Sequence, residues 1–273
     1  MNDKKKEPLF HIVKRDALPW YQSVGIRAIA IVLALIVCAV VTMILTGTNP
    51  IQVFQSIIAG AFGSARKTWI TFQNIAILLL ISLALTPAFK MKFWNIGGEG
   101  QVLIGGLASA ACMICLVEKL PAALVVVCMI VTSIAAGAFW AFIPAFFKAK
   151  WNTNETLSTL MMNYIATQLV AFFTIVWEVP KGSGKIGIIN QNSNVGWLPQ
   201  AFGSKYLLSI LVAVLITVFM YIYLKYSKHG YEISVVGESE NTAKYVGIKV
   251  EKVIMRTMAL SGAVCGLVGL LLV

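Results

Sequence analysis

Long apolar runs, each closed by a short polar or turn-forming stretch, divide most of the chain. They cover about 28–45, 69–89, the stretch from 93 to 117, 122–147, 157–177 and 206–224, and a last run opens near Val253 and is still apolar at Val273. About 20 apolar residues suffice for a helix to cross a bilayer, so the pattern predicts an all-α, polytopic helical bundle of about seven spans. Thr46-Gly47-Thr48-Asn49-Pro50 and Glu118-Lys119-Leu120-Pro121 read as turns. Ile51–Phe62 is amphipathic and too short to cross. Pro87 with Lys90 and Lys92 ends the second span, and Pro144 is expected to kink the end of the fourth. Two longer polar segments remain, 178–205 and 225–252. In the first, Ile186–Ile189 and Trp197-Leu198-Pro199 point to partial packing rather than free coil.

Composition agrees. The chain is 59% hydrophobic and 12% charged, against about 25% charge in a soluble domain. The net charge of +11 does not indicate nucleic acid, because the basic residues sit at the ends of apolar runs, where they act as topology signals. With the N-terminus inside, 16 of the 22 basic residues fall on the inner side. That orientation places 178–205 outside and 225–252 in the cytoplasm. Residues 1–27 are then a basic cytoplasmic arm, and 28–273 a transmembrane domain of a multi-pass membrane protein. No small-x-small cleavage site follows the basic lead, so the first run is read as an uncleaved span. A chain that stops inside an apolar run is read as a fragment lacking further spans.

Enzyme chemistry finds no foothold. There is no phosphate-cradling GxxxxGK[ST] and no HExxH, and the histidines are His11 and His229, both at polar edges. Cys38, Cys112, Cys115, Cys128 and Cys265 lie inside apolar stretches and read as small buried side chains. Asn154-Glu155-Thr156 matches a glycosylation sequon, but the topology puts it inside.

Two stretches carry the functional signal. The first is Phe93-Trp94-Asn95-Ile96-Gly97-Gly98-Glu99-Gly100-Gln101, with a carboxylate, two amides and three glycines between two apolar runs. Glycine permits bends and close approach, and an ionisable group at the mouth of a span is costly unless it is paired or faces water. Two readings stand together. Asn95 caps a helix with Glu99 near the positive end of its dipole, or the stretch is a break beside a solute path. A polar set gathers around it: Asn74, Asn95, Glu99, Gln101, Asn154, Glu155, Thr156, Ser158, Asn163, Tyr164 and Gln168. Thr156, Asn163 and Tyr164 fit one helix face. Many amides with few charges favour a neutral, hydroxyl-rich solute, although such groups also bond helix to helix. The second stretch is Gly230–Ile248. Glu238 and Ser239 are expected to cap a short helix over Glu240–Val246, ended by Gly247. It is either a docking knob or a solvated linker.

Together these stretches resemble the permease subunits of ATP-binding-cassette importers, in the branched-chain amino acid and simple-sugar class and within it the nucleoside type. Phe93–Gln101 is similar to that family's "FNIGAEGQ", with Trp94 inserted and Gly98 for alanine. Asn154–Ala166 is similar to "NEVISTLMLNYIA", and Val236–Ile248 to "VGxNPxAARYAGI", with Glu240 at a proline-like position. The resemblance spans about Trp69 to Val273. It implies a permease that works with a second permease subunit, cytoplasmic ATP-binding-cassette ATPase subunits and an extracytoplasmic solute-binding protein. ATP is bound by the ATPase, and no cofactor is expected in this chain. It further implies a substrate path at Asn95, Glu99, Gln101, Asn154, Glu155 and Asn163, and ATPase coupling through Glu238, Ser239, Glu240, Asn241, Lys244, Tyr245 and Gly247. The expected cargo is a nucleoside, then a simple sugar, then a branched-chain amino acid. An ion-gradient-driven transporter and a membrane scaffold subunit are the competing functions.

Overall fold

The computed structural model describes residues 19–199 and 204–273. Ten helices occur among them: α1 Trp20–Thr46, α2 Pro50–Phe62, α3 Ala65–Lys90, α4 Gly98–Leu116, α5 Ala122–Trp151, α6 Glu155–Trp177, α7 Leu207–Tyr226, α8 Lys228–Glu238, α9 Glu240–Tyr245 and α10 Val250–Leu272. Seven of them, α1, α3 to α7 and α10, are long and apolar enough to span a membrane.

The chain forms two compact units, 1–67 and 68–273. In the first, α1 reaches back to Trp20, so 20–27, expected in the basic arm, belong to the first span. Pro19 precedes its first turn, and the Ser23 N–H donates to the Pro19 carbonyl at 3.1 Å. Residues 1–18 of that arm lie outside the described residues. Gly47, with φ of 65°, ends α1, and the Asn49 side chain caps α2 by accepting from the Ile51 N–H at 3.0 Å.

In the second unit, α10 is the central helix. Ser261, Cys265 and Val268 are fully or almost fully buried, and small residues bring α4 and α5 onto it. Apolar side chains pack in three tiers. At one end, Met91 and Phe93 meet Ile233, Val236, Val253, Ile254 and Met258. In the middle, Ile77, Leu80 and Ala84 of α3 meet Val102, Ala213, Val264 and Cys265. At the other end, Met113, Val125, Met129 and Leu270 meet Ile189 and Val195 of the 178–199 loop. The connections 91–97 and 152–154 and helices α8 and α9 therefore share one end, and 117–121 and 178–199 share the other.

Two prolines lie inside helices near their ends. α5 continues past Pro144 to Trp151, and α3 past Pro87 to Lys90. Both prolines are buried among neighbouring helices, an environment in which a span tolerates the missing N–H.

The 178–199 loop is packed, as its apolar patches foretold. Asn190 Nδ2 donates to the Met113 carbonyl at 2.9 Å and to the Val195 carbonyl at 3.0 Å, and Trp197 Nε1 donates to the Ile189 carbonyl at 3.0 Å. Glu178, just past α6, accepts from the N–H groups of Gly182 at 2.7 Å and Gly184 at 2.8 Å. Those two donors hold its carboxyl below the usual carboxylate range, with Lys181 adding to the effect. A depressed folded-state pKa stabilises the turn above the unfolded value, and that stability is lost as pH falls through the folded value. Amide exchange at Gly182 and Gly184 is accordingly expected to lose protection on acidification. In Glu178→Gln, weaker protection that no longer responds to acid is the expected result.

Candidate functional site

The sequence between α3 and α4 cannot continue either helix. Lys92 takes a left-handed conformation with φ of 60°, and the backbone then doubles back, Asn95 N–H donating to the Phe93 carbonyl at 2.9 Å. α4 thus begins inside the protein with its first N–H groups unpaired by the helix itself. Two side-chain amides meet them. Asn95 Oδ1 accepts from the Gly97 N–H at 3.0 Å, and Asn163 Oδ1, from α6, accepts from the Gly100 N–H at 2.9 Å.

These bonds belong to a knot. Gln101 Nε2 donates to Asn95 Oδ1 at 3.2 Å, and Asn95 Nδ2 donates to Ser261 Oγ of α10 at 3.4 Å. Asn163 Nδ2 donates to the Ile96 carbonyl at 2.9 Å, while Thr159 Oγ1 accepts from the Ile96 N–H at 3.3 Å. Asn95, Gln101, Thr159 and Ser261 are at most 1% exposed and Asn163 8%. Three of the expected path residues are thus brought together, and they bond to one another, to Ser261 and to the backbone, with Gln101 Oε1 left buried without a partner. The N-cap itself is Gly97; Asn95 acts two residues earlier.

The other three lie apart from the knot. Asn154 caps α6 by accepting from the Leu157 N–H at 3.1 Å. Glu155 pairs with Lys148 at 2.9 Å and lines a cleft of about 170 Å³ with Lys92, Glu238, Ser239 and Glu240. Glu99, in the first turn of α4, is exposed. It stands one turn before Leu103, and Leu103 lines an open groove of about 330 Å³ among α4, α6, α10 and residues 186–189. Leu103, Gly106, Leu107, Val170, Thr174 and Trp177 line that groove.

Tyr164 is 61% exposed and does not share the face of Asn163. Thr159, one turn earlier on α6, does. Thr159 and Ser261 were not singled out in the sequence, since a lone hydroxyl in an apolar run carries no mark of its partner.

The 225–252 segment holds two helices. α9 covers Glu240–Tyr245 as expected, capped by Ser239 Oγ accepting from the Thr242 N–H at 3.3 Å and followed by Gly247 with φ of 77°. Glu238 closes the preceding α8 rather than capping α9. α8 was not expected; its signal was Ser227, whose Oγ accepts from the Gly230 N–H at 3.0 Å. Gly237 of α8 lies flush on the Lys90 carbonyl and Met91, where a side chain has no room. The Arg256 guanidinium of α10 donates to Glu232 of α8 at 2.8 Å. The knob is thus bolted directly to the 90–93 connection and to α10. Of the residues expected to couple, Glu238, Glu240, Asn241, Lys244, Tyr245 and Gly247 are exposed and Ser239 is half-buried. Tyr245, 93% exposed, stands at its tip beside Val246.

An inward-starting helix held by amides, with a knob fastened to its base, accords with the resemblance seen in the sequence. The family model described as branched-chain amino acid transport system / permease component matches residues 68–273. The chain belongs to this family. It is 33% identical over 244 residues to the guanosine ABC transporter permease protein NupP of Bacillus subtilis, covering 88% of this chain and 69% of that one. Similarity to the nucleoside ABC transporter permease protein NupB of Lactococcus lactis is 28% over 256 residues, 91% of this chain and 70% of the relative. The glucose ABC transporter permease protein TsgB13 of Haloferax volcanii is 26% identical over 267 residues, 94% and 69% of the two chains. No solved structure gives a significant match. The protein is a membrane-spanning permease subunit of an ABC importer, multi-pass in the bacterial plasma membrane. Membership of the family implies ATPase, binding-protein and second-permease partners.

Proposed function

We propose that this permease imports nucleosides, moving them past Glu99 and along the α4–α6 groove, and that α9 takes up the thrust of a cytoplasmic ATPase. The observation that carries the reading is the seating of the knob. Gly237, Val236 and Ile233 rest on the connection that leads straight into Asn95 and the start of α4. Displacement of α9 therefore bears on the amide knot without an intervening flexible segment. Asn95, Gln101 and Asn163 hold the mouth of α4 to α6 and α10, Asn154 starts α6, and Glu155 with Lys148 braces the α5–α6 corner. The groove's apolar wall with Trp177 suits a nucleobase, and the exposed Glu99 carboxylate suits ribose hydroxyls, while the Thr174 hydroxyl is spent on the Val170 carbonyl at 2.8 Å. The names of two relatives, which specify guanosine and nucleoside, support the cargo.

The experiment is uptake of radiolabelled nucleoside by cells carrying the whole transporter. Uptake is expected to stop on ATP depletion and to be competed by nucleosides ahead of ribose, hexoses and branched-chain amino acids. Uptake that survives ATP loss but not collapse of the ion gradient overturns the ATP-driven reading. Tyr245→Ala is expected to leave the fold intact and weaken ATPase association roughly tenfold or more, as truncation of an anchoring aromatic does. Glu99→Gln is expected to reduce uptake without changing thermal stability, and full uptake by that variant would remove Glu99 from the path.

A further inference from the structure

We propose that the groove between the lower halves of α3 and α7 is a binding site for one anionic phospholipid, with Lys90 and Lys225 holding its phosphate. The groove, of about 320 Å³, is lined by Leu83 and Lys90 of α3 and by Thr217, Met220, Tyr221, Leu224 and Lys225 of α7. Its floor is Met220, only 1% exposed. In its wall Thr217 Oγ1 is spent on the Ala213 carbonyl at 2.7 Å, and the Tyr221 hydroxyl is at the mouth with Lys225. The body of the groove therefore suits hydrocarbon and offers little to a polar solute.

The mouth is different. Lys90 is the last residue of α3 and Lys225 lies in the last turn of α7, so both ammonium groups stand at the end of the bundle that carries the knob. Lys225 is held in place. Its Nζ donates to the Tyr221 hydroxyl at 2.9 Å and lies 5.2 Å and 5.5 Å from the ring centres of Tyr221 and Tyr226. An ammonium carries three donors, so two remain for a ligand. Among the described residues no carboxylate lines the groove. Two cations above an apolar cleft between spans complement a phosphodiester with acyl chains below it. A soluble phosphate would match the lysines and leave the cleft unfilled. A zwitterionic lipid would bring its own cation to the same mouth.

Native mass spectrometry of the full chain in mild detergent tests this, during titration with phosphatidylglycerol and with phosphatidylcholine of equal chain length. One retained phosphatidylglycerol per chain is expected, and no comparable phosphatidylcholine adduct. The pair Lys90→Gln and Lys225→Gln is expected to weaken retention on the order of tenfold. The pair Lys90→Arg and Lys225→Arg is expected to keep it. Thr217→Trp, which fills the wall and leaves both lysines in place, is expected to abolish it, with thermal melts confirming that each variant is folded. Equal retention of the two lipids overturns the proposal. So does undiminished binding in the Gln pair or in Thr217→Trp, and so does displacement of the lipid by glycerol 3-phosphate alone.

Discussion

A Gly266→Leu variant is expected to lose its fold or to melt far below the unaltered protein. Gly266 sits where α10 is pressed between two other spans. A Cβ added there would strike the Ser133 carbonyl of α5 and lie 3.2 Å from the Gly137 Cα, and from the other side a Cβ on Gly105 of α4 would strike the Gly266 backbone. Helices in a membrane gain little from burying apolar surface against each other, so close backbone approach between small residues supplies much of their association. Inserting methylenes into a packed interior typically costs 1–3 kcal/mol where side chains can yield. Here the obstructing atoms are main chain of α5, which cannot yield as a side chain does, so roughly 3 kcal/mol or more is expected. That is a large share of the 5–15 kcal/mol that holds a typical domain. Thermal unfolding in detergent, followed by intrinsic fluorescence, provides the measurement. Gly25→Ala, at a position with nothing within 4 Å, serves as the control and is expected to melt as the unaltered protein does. If Gly266→Leu melted with it, α4, α5 and α10 would not be in contact as described.

The same packing shows which features the sequence made legible. Span positions followed from run length alone, since each helix must bury or expose a full bilayer's worth of apolar residues whatever its neighbours. The Ser239 cap was legible, acting within three residues of its own position, whereas Asn154 and Ser227 cap at the same range and were not read as caps. α8 escaped notice because it carries glycine at 230 and 237, residues that weaken a helix by about 1 kcal/mol each. Its apolar positions, Ile233 and Val236, are too few to set a period. Gly237 is glycine for a tertiary reason, the nearby Lys90 carbonyl. Within the candidate site, residue types announced polar chemistry but not its partners. Asn163 meets Ile96 and Gly100 across more than sixty positions of sequence, and Asn95 meets Ser261 across a still longer gap. Of the amides that looked free to receive a solute, Asn95 and Asn163 are committed to neighbouring side chains and to the backbone, Gln101 keeps an unpartnered buried Oε1, and the carboxylate, Glu99, stands exposed.

That commitment leads to an expected result at Asn163. Replacing it with Leu keeps the branching and the number of side-chain heavy atoms, in a somewhat larger volume, and removes both of its bonds to the α4 entrance. The Gly100 N–H is then left without its partner in a buried position, and the Ile96 carbonyl in a partly exposed one. A buried orphaned group costs about 1–3 kcal/mol, so a loss of that order is expected. Asn163→Asp keeps an acceptor for Gly100 and loses the donor to Ile96. Apart from the added charge, it therefore separates the two bonds. A residue that only contacted the solute would show lost uptake with unchanged melting, whereas the knot requires melting and uptake to fall together. Uptake and thermal stability measured on the same preparations of Asn163→Leu decide between them. A stable, folded Asn163→Leu protein that fails only in transport would move this side chain from the scaffold to the path. The parallel fall would instead mean that α6 holds the mouth of α4 through this one amide, and that thrust arriving from α9 at residues 90–97 reaches α6 by way of it.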